Sequence, residues 1–501
     1  MIFYLLFFAF FGWYFYGLYL KKKNYPPGPL PLPIIGSIYV LIIQGIGGFS
    51  NYLLTTFGEI NTLWFGPKPA VFFNNFNDIQ ETFVKNAEIF AGRPKSQELD
   101  RIIRGGFSGL LVTDGQQWRE HRRFAIHVMR NLGLGKNLMQ EKVLSEVTWV
   151  IEELGKKVKD GNEEISIQNY IDISVGSVIN SIIFGYSLQE KSLAEFDKIK
   201  GFIQQFLKMI GNPVYGLLSQ DSTGTLKKLP YLRNLFNEAT ELGHELQTFF
   251  NGQIEERRQK INFEEDSEAT DYVEAYLRQQ YKNEKSGKNE ENLFTNDQLL
   301  GCVFDMWLAG QETTSNTLAW MILYLMTNPE IQSKLQKELD KQIGSDRLIT
   351  LDDKMDLNYL NAVIAETQRY CNLIPNNIPH RLTEDFEFHG FHLEANTMVI
   401  PQIGAVLTNE KIFPEATKFK PERFIDENGK FQTKPELIPF GVGKRACLGE
   451  GLARLELYLF AANLFNHFEI TIIPSNPPNM TPIIGGTKMP EPFLAQIKKR
   501  F

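Results

Sequence analysis

The sequence predicts a mainly α-helical body with a smaller β region, an α+β chain, preceded by one transmembrane helix. Three observations predict it. From Trp118 to Leu373 the apolar residues recur largely at helical spacing. Short β-branched and aromatic runs between turn residues gather towards the two ends of the body. The first twenty residues carry no charge.

In chain order, Met1 to Leu20 is apolar or aromatic apart from its glycines, and Lys21, Lys22 and Lys23 follow it. About 20 such residues at 1.5 Å rise cross a bilayer core. Trp13 and the tyrosines suit its interfaces. The positive charge comes after the apolar run, and no small-residue cleavage site precedes it. This favours an uncleaved anchor over a signal peptide, with the lysines keeping the body on the cytoplasmic side. Residues 21–36 form a basic and proline-rich hinge, Pro26 to Pro33, stiff and poor in amide donors. Residues 37–501 then form one large domain.

Val40 to Phe90 mixes short apolar runs with turn signals, and within it Asn61–Phe65 and Ala70–Phe73 read as strands. Glu141–Leu154 and Thr240–Ile254 have clear amphipathic spacing. Asn262 to Asn296 is dense in charge and reads as a solvated loop or helix surface. After Pro375 strands and turns return, at Phe386–Phe391 and Thr397–Pro401. The formal charge of −7 gives no reason to expect nucleic-acid binding. Cys302, Cys371 and Cys447 are too few and too scattered for a disulfide framework, which fits a reducing compartment.

The chemistry concentrates in Phe440 to Gly449, Phe-Gly-Val-Gly-Lys-Arg-Ala-Cys-Leu-Gly. A thiolate is a strong ligand for iron. Gly441 and Gly443 allow tight backbone, and Gly449 lets the chain approach a flat ligand. The apolar spacing of Leu448–Leu464 predicts a helix just after Cys447, whose free N–H groups favour a sulfur anion. Arg445 is placed to meet an anionic cofactor edge. A second set, Ala309-Gly310-Gln311-Glu312-Thr313-Thr314, interrupts the long apolar helix Leu299–Met326. A buried acid and hydroxyls are costly unless satisfied, so the expectation is a local bulge beside a wet pocket.

The first decapeptide matches Phe-x-x-Gly-x-Arg-x-Cys-x-Gly, and so resembles the cysteine-ligand loop of the cytochrome P-450 family. The second set resembles that family's oxygen-activation motif. The resemblance implies a cytochrome P450 fold binding haem b, with Cys447 as the iron ligand and Phe440, Arg445 and Gly449 around the cofactor. It implies that Thr313 donates a hydrogen bond to bound dioxygen while Glu312 feeds protons through water. Trp118 and Arg122 in Trp-Arg-Glu-His-Arg, and His380 and Arg381 in Pro-His-Arg, resemble propionate contacts, with Arg93 a further such position. Glu366 and Arg369 with Arg423 match the family's Glu-x-x-Arg helix and arginine loop, a structural lock. Leu407 to Phe413 lacks the His-Arg-Asp-Pro run often seen there, a departure without chemical weight.

The activity implied is a monooxygenase that inserts one atom of O2 into a small hydrophobic molecule. No Gly-x-Gly-x-x-Gly fingerprint is present. Electrons would therefore come from a separate NADPH-cytochrome P450 reductase, with cytochrome b5 as an optional second donor, at an endoplasmic reticulum membrane. Lys444, Arg123 and Arg130 are candidates for the docking face. The alternatives are a haem-thiolate isomerase or dehydratase acting on peroxides, which has no use for the Glu312–Thr313 pair, and a non-enzymatic haem-binding sensor or scaffold. By family position, Arg104–Leu111, Phe202–Leu218, Gly301–Ala309, Leu373–Ile378 and Ile483–Gly486 would line the pocket, with Asn376 and Asn377 its polar exceptions and turn formers. The sequence does not choose the substrate.

Overall fold

A computed structural model of the chain describes residues 4, 8–13, 16–17, 22–33, 35–95, 97–133, 137–161, 164–191, 193–218, 225, 228–265, 267–287 and 293–501. The principal helices are α1 (Tyr39–Phe57), α2 (Gln97–Arg104), α3 (Gly115–Asn131), α4 (Asn137–Lys159), α5 (Ile167–Phe184), α6 (Leu193–Ile210), α7 (Pro230–Gln259), α8 (Tyr272–Lys285), α9 (Asn296–Thr327), α10 (Pro329–Gln342), α11 (Asn358–Cys371) and α12 (Glu450–His467). The strands are β1 (Ile60–Phe65), β2 (Lys68–Phe73), β3 (Glu164–Ile165), β4 (His380–Arg381), β5 (Phe386–Phe388), β6 (Phe391–Leu393), β7 (Met398–Pro401), β8 (Phe468–Thr471), β9 (Ile483–Ile484), β10 (Lys488–Met489) and β11 (Ala495–Lys499). Long helices dominate and the sheets are small, as the sequence predicts.

The main sheet has the order β1-β2-β7-β4, so strands from both ends of the body pair. β1 and β2 are antiparallel, while β2 and β7 run parallel, with Val71 beside Val399. A second sheet, β3-β11-β8, closes the carboxyl end against the helices. Local chemistry sets the helix limits. The Thr295 hydroxyl caps α9 by accepting from the Gln298 N–H. Proline opens α7 and α10, where its missing N–H costs nothing. The charged stretch before α9 contains helix α8, whose Glu274 is paired with Arg257 and Arg278.

α1 is the element that sequence periodicity missed. Its residues are apolar around most of the helix and it contains Gly45, Gly47 and Gly48, so no stripe stands out. Gly45 is non-helical at φ 67°, ψ 163°, and kinks the helix. Val40, Leu41, Phe49 and Leu53 pack on Leu63, Ala70 and Phe72 of the sheet, while Ile42 and Ile43 face outwards. Among the described residues α1 is the one helix long and apolar enough to cross a membrane, by length and composition alone. Most of the expected anchor Met1–Leu20, and Lys21, lies outside the described residues. Its described part is helical, and Tyr4, Phe8, Phe10, Trp13 and Tyr16 are exposed. The proline run does not span open solvent. The Thr62 N–H donates to Pro27 O at 3.0 Å, the His392 N–H to Asn24 O at 3.0 Å, and Tyr25 stacks edge-on against Trp64.

α9 passes through the centre of the helical core. At 1.5 Å per residue its 32 residues extend about 48 Å. From Gln298 to Met326 every residue is buried except Ala309, Gly310 and Thr313. The expected bulge is absent, and the helix runs unbroken through this set. Gly310 has a packing reason instead: a Cβ there would lie 2.7 Å from the Ile179 side chain of α5.

Candidate active site

The segment before α12 turns sharply at Gly441 and Gly443, both with φ 72°. A Cβ on Gly443 would lie 1.9 Å from Phe83 O, so only glycine allows this approach. The turn folds Cys447 back until its N–H donates to Phe440 O at 2.9 Å. Gly449 caps α12 and directs its own N–H at the Cys447 sulfur. Burial pushes this thiol up, Glu450 adds to that, and the Gly449 N–H and the Arg122 charge draw it back. Cys447 is nevertheless accessible, whereas Cys302 and Cys371 are buried. Burial pushes both of those thiols up to about 12, which makes them inert core residues.

A group of cations stands beside the cysteine turn. Arg445 lies over Trp118, its Cζ 3.7 Å from the ring centroid, and donates to Ala91 O at 2.8 Å and Thr113 O at 2.7 Å. Arg122, one helical turn from Trp118 on α3, donates to Ala446 O at 2.6 Å. Arg93 donates to Ile378 O and Pro379 O, and its Nε is buried without a partner. Burial, with Arg122 and Arg93 as neighbours, pushes Arg93 down to about 10 and Arg445 to about 8. A guanidinium keeps its proton in a protein, so this penalty is one that a bound anion would relieve.

Arg381 and His380 stand behind that group. Arg381 donates to Arg93 O at 3.0 Å, to Asn396 at 2.8 Å and to Asp114 at 2.5 Å, so most of its fork is engaged by protein partners. His380 Nδ1 is 2.7 Å from Phe90 O; a carbonyl only accepts, so the proton sits on Nδ1. Burial, reinforced by Arg93, holds this imidazole well below its usual range and therefore neutral. Nothing in the local sequence shows that Asp114 claims Arg381.

Ala309, Gly310 and Thr313, the accessible residues between Gln298 and Met326, form a notch in the middle of α9. Thr313 sits on its edge, its hydroxyl bonded to Ala309 O at 2.7 Å. Glu312 is buried; Asn316 Nδ2 donates to its Oε2 at 3.0 Å, and its Oε1 has no partner. Burial pushes this carboxyl up, against the pull of Lys200 and Asn316. Of the expected pocket residues, Arg104 is closed in a buried ion pair with Asp305, whose Oδ2 also accepts the Leu110 and Leu111 N–H groups. Asn376 accepts from Ser50 at 2.8 Å. Asn377 takes φ 53° and accepts the Ile378 N–H, a turn role. The side chains of Pro213 and Leu217 lie outside the described residues.

Glu366 and Arg369 of α11 meet as a two-bond pair, and Arg423 reaches the same carboxylate at 3.0 Å. Arg369 also donates to Leu407 O and Ala416 O, tying α11 to the segment that precedes the cysteine turn. On the outer side of the turn a groove of about 560 Å³ is lined by Arg119, Arg122, Arg123, Arg130 and Lys444, with Glu88 among them.

The sequence model of the family described as Cytochrome P450 matches residues 26–496. The chain is 34 % identical over 457 residues to cytochrome P450 2C3 of Oryctolagus cuniculus, covering 90 % of this chain and 88 % of the relative. It is 32 % identical to cytochrome P450 2B19 of Mus musculus, covering 95 % and 94 %. It is 31 % identical to cytochrome P450 2M1 of Oncorhynchus mykiss, covering 90 % and 87 %.

Proposed function

Since this chain belongs to the cytochrome P450 family, and is thus a haem b oxidoreductase, we propose that it is a membrane-anchored monooxygenase in which Cys447 holds the haem iron. The observation that carries this reading is that Cys447, alone of the three cysteines, is accessible, while α9 opens in its middle at Ala309, Gly310 and Thr313. Cys447 would hold the cofactor, and Thr313 and Glu312 of α9 would serve its oxygen chemistry.

The residues fit the group. Haem carries two carboxylates, and Arg93, Arg122 and Arg445 offer a cation excess with one buried donor unpaired. Trp118 backs Arg445, Gly449 and Phe440 shape the turn at the sulfur, Arg381 braces Arg93 through its carbonyl, and His380 holds Phe90 O. Haem held by Cys447 would supply activation of dioxygen and cleavage of its O–O bond.

The chain's own residues do the rest. The Gly449 N–H and Arg122 moderate the basicity of the sulfur. The Thr313 hydroxyl turns from Ala309 O towards the notch as a donor, and Glu312 stores the proton that follows, since burial favours its neutral form. The substrate is a small hydrophobic molecule: Phe202, Phe206 and Phe304, pocket residues by family position, are apolar, and the rings of Phe206 on α6 and Phe304 on α9 pack edge to face. A separate NADPH-dependent reductase would dock on the basic groove beside Lys444 and Arg130. The apolar N-terminal segment and α1 suit attachment to the endoplasmic reticulum membrane.

The test is the absorption spectrum of the dithionite-reduced protein with carbon monoxide, for wild type and Cys447→Ser. The expected result is a strongly red-shifted Soret band that the variant loses. A band at the position typical of histidine ligation, or no haem band in folded, haem-supplied protein, would overturn the assignment.

A further inference from the structure

Behind the notch, α9 touches a second polar set that the proposed chemistry leaves unused. Lys200 of α6 forms an ion pair with Asp172 of α5, and the other Asp172 oxygen accepts the Ser315 hydroxyl of α9. The Asp172 side chain is 6 % exposed and that of Lys200 16 %, so the pair stands among three packed helices with only the lysine near the surface. A buried ion pair adds little stability over apolar residues of the same volume. Its position therefore calls for another explanation.

Ser315 lies three residues after Glu312 and shares its side of the helix. Glu312 is only half held, by Asn316 on one oxygen, with the other buried and unpartnered. Its charge state is thus open to the nearest field. Lys200 is the charge that acts on it. Of the other titratable groups packed around α9, Arg104 is closed on Asp305, Glu274 of α8 on Arg257 and Arg278, and Glu366 of α11 on Arg369, while Glu456 of α12 bonds Thr314. Burial pushes Lys200 down to about 8 and Glu312 up, so the two groups approach each other in proton affinity.

We propose that Lys200 is a positioning residue that sets the charge state of Glu312, with Asp172 holding the ammonium in place and tempering its field. Proton supply to the notch is then governed by the α6–α5 ion pair. This inference rests on Glu312 as the acid of the proposed reaction, but its test does not depend on turnover.

The protonated-carboxyl infrared band of Glu312 is titrated in the haem-loaded protein and identified by its loss in Glu312→Gln. In Lys200→Met the band should persist to higher pH, its midpoint raised by about one unit. Asp172→Asn keeps an oxygen for Ser315 but releases the full lysine field, and the midpoint should fall. Lys200→Arg keeps the charge and should restore the wild-type midpoint. Packing damage would not move the first two variants in opposite directions. An unmoved midpoint in Lys200→Met, or a shift of the same sign in Lys200→Met and Asp172→Asn, overturns the proposal. If Asp172→Asn does not fold, the contrast between Lys200→Met and Lys200→Arg decides. Opposite shifts with unchanged coupling of oxygen use to product would uphold the link to Glu312 and remove Glu312 from the reaction.

Discussion

Glu366 and Arg369, one turn apart on α11, meet through two parallel hydrogen bonds of 2.7 and 2.8 Å, with neither side chain exposed. Arg423 and the Lys420 N–H complete the shell around the same carboxylate. Removing the acid leaves two guanidiniums buried without their anion. Glu366→Gln should cost about 3–5 kcal/mol of stability, measured by chemical denaturation of the haem-loaded protein. Retention of wild-type stability would mean that water or a carbonyl takes the place of the carboxylate.

The two arginine layers make separable predictions. Arg445→Met and Arg93→Met should each weaken haem retention by about tenfold or more, measured as transfer to a competing apo-globin, because a charge-assisted bond is worth about 1.5–3 kcal/mol. Arg381→Met should instead lower stability by about 1–3 kcal/mol, because it strands Asp114 and Arg93 O. Equal haem loss in all three would erase the distinction between contact and brace.

Charge reversal in the basic groove should slow electron entry without disturbing the haem spectrum. Arg130→Glu and Lys444→Glu are expected to lower the reduction rate at low salt and flatten its salt dependence. Unaltered rates in stopped-flow reduction would move the docking site elsewhere.

Glu456 gives a pH prediction. Burial beneath α9 pushes its carboxyl up to about 8, against the pull of Thr314. A folded-state value raised above the unfolded one means that the native protein binds the extra proton. Its stabilising contribution is complete below about pH 4.5 and is lost as pH rises to about 8, a change of about 5 kcal/mol. Glu456→Gln should flatten this slope in denaturation measured at several pH values. A slope unchanged in the variant would assign it to other groups.

The motif residues were legible because their chemistry is written in short, local patterns. Cys447 carries its glycines and Arg445 within ten residues, and Glu366 and Arg369 are one helical turn apart. What was not legible depends on distant partners. Asp114 pairs with Arg381 from a distant part of the chain, and Phe90 decides the proton position on His380. Ile179 on α5 gives Gly310 its reason, so a glycine that suggested a bulge sits in a straight helix. α1 escaped because apolar residues on most of its circumference leave no stripe, and the kink at Gly45 divides it.

The docked proline segment bears on where this chain can be shortened. Asn24, Tyr25 and Pro27 are bonded or packed to β1, Thr397 and the strand β6 that carries His392. The described residues before Lys22 are exposed apart from Phe11, which is half-buried. A soluble version should therefore keep everything from Lys22 onward. A cut after Pro33, the intuitive end of the hinge, would strip bonds from the main sheet and trade a solubility gain for a frayed edge.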